Sequence, residues 1–77
     1  RRLTRLLTLR EAEIAELLLQ SLPNKKIALT LGLSLDTVKW HLKNIYLKLD
    51  AHGRSAVAER MRRELERNDE GSGAGGK

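Results

Sequence analysis

The stretch that most constrains this chain's fold lies between Pro23 and Leu49, where two helix patterns follow each other almost without a gap. The first pattern ends at Gly32, and the second begins after Ser34, a residue type that commonly caps helix starts. Two helices joined by so few residues cannot lie antiparallel, so they must cross at a steep angle. The spacing therefore predicts a helix-turn-helix whose second helix runs to about Leu49.

That second helix has two unlike faces when its residues are placed at about 100° per residue. One arc is apolar and predicts the core face; it holds Val38, Leu42, Ile45 and Leu49. The opposite arc holds Asp36, Lys39, Trp40, Lys43, Asn44 and Leu47. Lys39 and Lys43 repel each other at a spacing where solvated helices usually pair opposite charges. A polyanion outside the chain would offset this repulsion.

Length and composition limit the rest of the fold. The chain has 77 residues, room for one domain, and its core must come from Leu, Ile, Val and Ala because Phe and Cys are absent. No disulfide or cysteine-based metal site is available. We expect a soluble, cytoplasmic chain without a membrane partner, since no apolar run is long enough for a bilayer and no signal peptide is visible.

The charge is positive and unevenly distributed. The net charge is +5 and the pI about 10.1. Residues 1–7 carry three arginines and no acid, and residues 24–54 carry six cations against two acids. An excess concentrated in the helix-turn-helix and the leading arm is typical of nucleic-acid binding, although basic stretches can also simply be solvated.

Capping residues predict four helices and no strands. Thr8 with Glu11 forms a capping-box pattern, so the first helix should cover roughly 8–20. Asn24 is expected to cap the second helix, and Ser55 the fourth. The prediction is an all-α, four-helix bundle that contains the helix-turn-helix.

The domain boundaries follow from composition. Residues 1–7 are expected to be a lead-in segment, 8–67 the folded domain with its helix-turn-helix motif at 24–43, and 68–77 a disordered Gly/Ser-rich tail. Because the chain begins without Met, it is expected to be an excised part of a larger protein.

The predicted fourth helix has a narrow apolar stripe on an otherwise charged surface. Val57, Met61 and Leu65 recur at every fourth position. Such a stripe either docks on the core or pairs with a second copy of the helix. We predict these three residues as a dimer interface and leave core docking open.

The order of residues resembles a known family. The sequence contains Leu7-Thr8-x-Arg10-Glu11-x-Glu13, then Asn24-Lys25-x-Ile27-Ala28 and Leu31, then Ser34-x-x-Thr37-Val38-Lys39-x-His41-x-x-Asn44-Ile45-x-x-Lys48-Leu49, and Arg54. Over residues 7 to about 63 it resembles the LuxR-type (GerE-like) DNA-binding domain of bacterial transcription regulators. The resemblance implies that the third helix enters the major groove of DNA and that the fourth commonly mediates dimerisation.

The sequence departs from the family pattern at a few places. Ser21 and Asp50 stand where Gly is usual, and Ala51 where Val is common. Pro23 and Lys26 replace the usual Ser and Glu that cap the second helix. None of these positions lies on the predicted reading face.

The resemblance implies base contacts by Lys39, Trp40 and Lys43. Lysine can donate to the O6 and N7 acceptors of guanine, and an exposed indole can pack on thymine methyls or sugars. The alternatives are lysines that touch only phosphates and a Trp40 that tucks against a neighbouring helix.

The predicted DNA-backbone contacts lie near helix starts or at the edge of the reading face. They are Asn24, Lys25, Thr37, His41, Asn44, Lys48 and Arg54. Capping alone would also explain Asn24 and Thr37, and Arg54 could instead bind a helix end.

No catalytic constellation is visible, and two isolated histidines, His41 and His52, make no metal site, so we expect no enzyme, cofactor or metal. Two other functions stay open. One is a promoter-reading module like that of sigma factors, with RNA polymerase as partner. The other is a protein-interaction bundle that uses Trp40 and Leu47 as an apolar patch.

Overall fold

The computed structural model describes the backbone of residues 5–76 and the side chains of residues 5–66. Its helices are α1 (Leu9–Leu19), α2 (Asn24–Leu31), α3 (Leu35–Leu49) and α4 (Arg54–Gly76), and no strand occurs among residues 5–76. This confirms the predicted all-α, four-helix architecture. The helix α1 packs against α4 and α3, while α2 packs against α3.

The core lies where the apolar stripes of the helices meet. Its most deeply buried side chains include Ile14 of α1, Ile27 of α2, Val38 and Ile45 of α3, and Val57 of α4, all fully inaccessible to solvent. The apolar arc predicted for the third helix is therefore the core face, and it positions the opposite arc toward solvent.

The turn between α2 and α3 has the predicted chemistry. Gly32 ends α2 with a φ of 68°, a left-handed conformation that glycine adopts at little cost. The Leu33 N–H then donates to the Ala28 carbonyl at 2.9 Å, and the Thr37 N–H donates to Ser34 Oγ at 3.1 Å. The helix-turn-helix prediction is confirmed.

The start of α1 is held by the predicted capping box. The Glu11 N–H donates to Thr8 Oγ1 at 3.1 Å, and the Thr8 N–H donates to Glu11 Oε1 at 2.9 Å. Leu7, predicted to belong to a lead-in segment, is buried in the core instead. The folded domain therefore includes Leu7, which precedes the cap of α1. Residues 1–4 lie outside the described part.

Two helix starts differ from the sequence prediction. Pro23 occupies the cap position of α2 and offers no side-chain hydrogen bond, so Asn24 is the first helical residue and not the cap. The helix α4 begins at Arg54, one residue before the predicted cap Ser55, and the Val57 N–H donates to the Gly53 carbonyl. Proline suits a helix start because it has no N–H to satisfy.

Two residues adopt left-handed backbone at positions where the resemblance expects glycine. Ser21 has a φ of 59° in the α1–α2 connection, and Asp50 has a φ of 51° at the end of α3. Both chain reversals therefore retain the geometry that normally calls for glycine, at a cost that glycine would avoid.

The helix α4 continues through residues 68–76, so its end does not coincide with the predicted domain boundary at residue 67. A helix that is already nucleated gains one hydrogen bond for each added residue, which allows it to run into a sequence of poor helix formers. Lys77 lies outside the described residues.

Candidate nucleic-acid interface

The outward face of α3 presents two cations and an indole. Trp40 is 61% exposed, and Lys39 and Lys43 are also exposed, whereas Val38 and Leu42 on the other side are buried. The helix start is fixed by the Ser34 cap, so the face is presented by a rigid element. The three predicted base-reading residues thus lie together between the fifth and the ninth residue of α3.

Neither lysine on this face is neutralised by the domain. Within residues 5–66, no ion pair or hydrogen bond involves the Lys39 or Lys43 ammonium. Asp36, the acid in the first turn of α3, is exposed and makes no ion pair with them in the described part of the chain. The face therefore carries an unbalanced positive charge.

An open groove lies beside this face, between the start of α2 and the start of α3. Four cations line it, with apolar side chains between them; we call it the basic groove, and its cations are Lys25, Lys26, Lys39 and Arg54. The first turn of α2 contains no acid, and its free N–H groups add positive potential at the same end of the helix. Positive charge from three helices converges at one concave surface.

Arg54 makes hydrogen bonds inside the domain, the kind of role left open by the alternative that it binds a helix end. Its guanidinium donates to the Leu22 carbonyl and to Asn24 Oδ1, so it ties the start of α4 to the α1–α2 connection. Both Arg54 and Asn24 were predicted to contact the DNA backbone. The Asn24 oxygen is used inside the domain, whereas a guanidinium has five N–H donors and keeps some for the basic groove.

Lys48 is placed differently from the prediction of a DNA-backbone contact. Its ammonium lies 2.7 Å from Glu11 Oε1, and Glu11 is only 4% exposed. The pair joins α3 to α1. Burial by itself would raise the pKa of Glu11, but the hydrogen bonds from Lys48 and Thr8, together with the lysine charge, outweigh it and hold the pKa below the ordinary value.

The remaining predicted backbone contacts flank the reading face. Thr37 is half-buried at the start of α3, and its Oγ1 accepts a hydrogen bond from Ser34 Oγ at 2.8 Å, which leaves its own hydroxyl proton free to donate. Asn44 and His41 are also half-buried. Lys25 is exposed in the basic groove.

The predicted dimer stripe is wrong for two of its three residues. Val57 is 0% and Met61 7% exposed, and both belong to the domain's own core. Leu65 is 50% exposed. The core takes the first part of the stripe because α4 packs along α1, so a partner helix cannot reach Val57 or Met61 without unfolding the domain.

Sequence reasoning also missed the residue that holds the end of α3. The Arg60 guanidinium donates to the Leu49 carbonyl at 2.7 Å. A cation at a helix C-terminus satisfies an unpaired carbonyl and complements the helix dipole. No local sequence signal predicts this contact, because it joins two different helices.

Comparison with known proteins adds a direct test of the resemblance. The family model described as bacterial regulatory proteins, luxR family, matches residues 5–61. The chain belongs to the luxR family. This membership assigns it to the helix-turn-helix DNA-binding domains of transcription regulators, which are not a class of enzymes.

Several curated proteins are similar to most of this chain. The spore germination protein GerE of Bacillus subtilis is 49% identical over 58 residues, which cover 74% of this chain and 78% of that protein. The probable transcriptional regulatory protein SgaR of Hyphomicrobium methylovorum is 41% identical over 63 residues, 82% of this chain but only 29% of that protein. A putative HTH-type transcriptional regulator of Aeromonas salmonicida is 49% identical over 51 residues, 66% of this chain and 26% of its own length.

The described part of this luxR-family domain offers neither a metal site nor a membrane span. Among the described residues, no group of three or more His, Cys, Asp or Glu side chains is arranged to hold a metal ion. The described helices include none with the length and apolarity needed to cross a membrane.

Proposed function

We propose that this luxR-family domain binds double-stranded DNA in a sequence-specific manner, with α3 in the major groove, as the output module of a bacterial transcription regulator in the cytoplasm. The observation that carries the proposal is the unneutralised outward face of α3, where Lys39, Trp40 and Lys43 are all exposed. A major groove is wide enough to admit an α-helix, and its base edges offer acceptors to lysine.

Phosphate contacts would come from the basic groove beside that face. Lys25 and Lys26 lie at the start of α2, where the free N–H groups of the helix also favour an anion. Contacts of this kind position a protein on DNA without reading the sequence. Thr37, His41 and Asn44, next to the reading face, are proposed to serve the same purpose, with Arg54 contributing the donors that Leu22 and Asn24 leave free.

The division between base-reading and phosphate-binding residues can be tested with two lysine variants. Fluorescence anisotropy would compare a duplex enriched from a randomised library with an unrelated duplex of equal length. We expect Lys43→Ala to lose most of the preference for the enriched duplex, by about tenfold or more. Lys25→Ala should weaken both duplexes equally and reduce the slope of log affinity against log salt by about one.

An exposed acidic residue supplies the control. Glu16 lies on the exposed surface of α1. Glu16→Gln should change neither the preference for the enriched duplex nor the slope of log affinity against log salt. Equal losses on both duplexes for Lys43→Ala and Lys25→Ala would contradict base reading by α3. The same titration, done without RNA polymerase, tests the sigma-factor-like alternative, which requires that partner to bind at all.

We further propose that two copies bind together, with α4 as the contact. Leu65 supports this proposal because it is half exposed on a helix that extends past the core. Two-fold related domains would bind half-sites one helical turn apart. Leu65→Glu should abolish cooperative 2:1 binding to an inverted-repeat duplex in sedimentation experiments, whereas Leu6→Glu, equally exposed at 50%, should leave it intact. Cooperative binding that survives Leu65→Glu would place the contact elsewhere.

A further inference from the structure

We infer that the Ser21 hydroxyl is a phosphorylation site, and that the phosphate it receives occupies the basic groove and weakens DNA binding. The weakening rests on the proposed function, because the basic groove is proposed to hold DNA phosphates. The inference goes further by naming a covalent modification that regulates this surface.

The first observation is that the Ser21 hydroxyl is exposed and has no partner inside the domain. Residues 5–66 contain six serine and threonine side chains, and four of them support the fold through hydrogen bonds: Thr8, Thr30, Ser34 and Thr37. The hydroxyls of Ser21 and Ser55 make no hydrogen bond in this part of the chain. Ser55 lies within α4, whereas Ser21 lies in the connection between α1 and α2. Ser21 is therefore the hydroxyl that an enzyme acting on a non-helical segment reaches most easily.

The second observation is the set of cations around Ser21. It lines the basic groove together with Lys25, Lys26 and Arg54, and no Asp or Glu is among the described residues that line this groove. The Arg54 guanidinium donates to the carbonyl of Leu22, the residue next to Ser21, which holds it beside the same connection. The ammonium groups of both lysines make no ion pair or hydrogen bond in the described part of the chain. A phosphate on Ser21 would therefore meet cations that no carboxylate neutralises.

The other side of Ser21 is less favourable to an anion. There it lines a second hollow with Glu59 and Arg62, whose side chains form an ion pair with each other. The Glu59 carboxylate would repel a phosphate in that hollow. The charges on the two sides thus direct the phosphate into the basic groove.

The third observation is that two parts of this site depart from the family pattern. Ser21 stands where glycine is usual, so a chain that follows the pattern has no hydroxyl to modify at this position. Lys26 stands where Glu is usual, so a carboxylate that would repel a phosphate is replaced by a cation. The proposed regulation therefore belongs to this chain and does not follow from membership of the luxR family.

The modification is phosphoryl transfer from a nucleoside triphosphate, catalysed by a serine/threonine kinase. The Ser21 Oγ forms a bond to the γ-phosphorus, and the bond from that phosphorus to the β–γ bridging oxygen breaks. The nucleoside diphosphate leaves, and the hydroxyl proton passes to a base of the kinase. Phosphoserine carries a charge of about −1.5 to −2 at pH 7 and three strong acceptor oxygens, which suit Arg and Lys donors. With this anion in place, the basic groove attracts a DNA phosphate less strongly.

The effect on DNA binding can be measured with phosphoserine incorporated at position 21 of the full chain by genetic-code expansion. By fluorescence anisotropy at low salt, we expect affinity for the enriched and the unrelated duplex to fall alike, by about tenfold or more. The slope of log affinity against log salt should decrease by about one to two. The preference for the enriched duplex should not change, because the outward face of α3 is unaltered.

Phosphoserine at position 55 is the matched control. It gives the chain the same net charge, but Ser55 does not line the basic groove, so it should weaken both duplexes clearly less. Equal losses for phosphate at positions 21 and 55 would mean that net charge alone acts, and would overturn the inference. Circular dichroism would verify that both proteins are folded.

The position of the phosphate can be tested without DNA. The pKa of the second ionisation of phosphoserine, ordinarily about 6, should be lowered by the surrounding cations in the folded protein and should return to its ordinary value in urea. A phosphorus NMR titration measures both values. A pKa at position 21 that is the same in the folded and the unfolded chain would overturn the inference, whatever the result of the DNA titrations.

The modification itself would be sought by mass spectrometry. The samples are the full-length protein purified from its own cells, and this chain incubated with ATP and a soluble extract of those cells. Ser21→Gly is the control: it cannot be modified, and it should bind both duplexes like the unmodified chain, since no DNA contact is proposed for Ser21. Absence of phosphate from Ser21 in both samples would overturn the inference. If the unmodified chain prefers no duplex, the proposed function itself fails, and the mass spectrometry and NMR results still decide whether Ser21 is modified and where its phosphate lies.

Discussion

At the scale of single residues, the two left-handed positions carry the clearest energetic cost. Ser21 has a φ of 59°, and a side chain there is strained by about 1 kcal/mol relative to glycine. Asp50 has a similar φ, but aspartate tolerates this conformation better than serine does.

We therefore predict that Ser21→Gly raises the free energy of unfolding by about 1 kcal/mol, measured by urea denaturation. Ser21→Ala keeps the Cβ atom and should give no comparable gain. The opposite exchange, Gly32→Ala, should lower the free energy of unfolding by about 1 kcal/mol. Its cost comes from the backbone alone, because Gly32 has a φ of 68° and no atom lies within 4 Å of the added Cβ. A Ser21→Gly variant no more stable than Ser21→Ala would show that the strain is absent.

At the scale of helices, the buried Glu11 joins α1 to α3, the helix that we propose reads DNA. Its carboxylate both caps α1 through Thr8 and binds Lys48 of α3. Loss of this contact should weaken the packing of α3 against α1 and lower the free energy of unfolding. The Lys48 end is 38% exposed, so solvent screening reduces the contribution of the pair.

We predict that Glu11→Gln lowers the free energy of unfolding by about 1–2 kcal/mol at pH 7. Because the pKa of Glu11 is lowered in the folded state, its stabilisation is complete above the unfolded pKa and is lost as the pH falls through the folded pKa. The difference between wild type and Glu11→Gln should therefore shrink below about pH 4.3. Urea denaturation at a series of pH values measures this.

The control for this pH experiment is Glu16→Gln, an exposed change on the same helix. It should alter stability little at any pH. A difference in free energy of unfolding between wild type and Glu11→Gln that stays constant from pH 7 to pH 3 would contradict this prediction. It would show that the charge of Glu11 does not stabilise the contact.

The apolar stripe of α4 is divided between the domain's core and its exposed surface. Val57 and Met61 complete the core against α1, and only Leu65 remains available to a partner. In the same helix, Arg54 donates a hydrogen bond to the α1–α2 connection, and Arg60 donates one to the end of α3.

At the scale of the whole molecule, we expect residues 68–77 to contribute much less to the free energy of unfolding than the domain that precedes them. Residues 68–77 include four glycines, each of which costs a helix about 1 kcal/mol relative to alanine. We predict that a chain ending at residue 67 has the same free energy of unfolding as the full chain within about 0.5 kcal/mol. Urea denaturation tests this; a larger loss would mean that the segment packs against the domain.

The sequence by itself determined the helices, the turn between α2 and α3, and the arc of α3 that faces solvent. These features depend on local rules: the 3.6-residue period places Val38 and Ile45 inside, and the Thr8 and Ser34 side chains cap backbone groups three residues away. The base-reading candidates Lys39, Trp40 and Lys43 were accessible to the same reasoning because they share that solvent-facing arc.

Only the tertiary structure decided which polar groups are used inside the domain. Lys48 meets Glu11 across 37 positions of sequence, and Arg54 meets Leu22 across 32. The burial of Met61 likewise depends on how α4 lies along α1. Helix crossing angles and separations arise from the packing of all side chains together, so a pattern read along one helix cannot tell a partner inside the fold from a partner outside it.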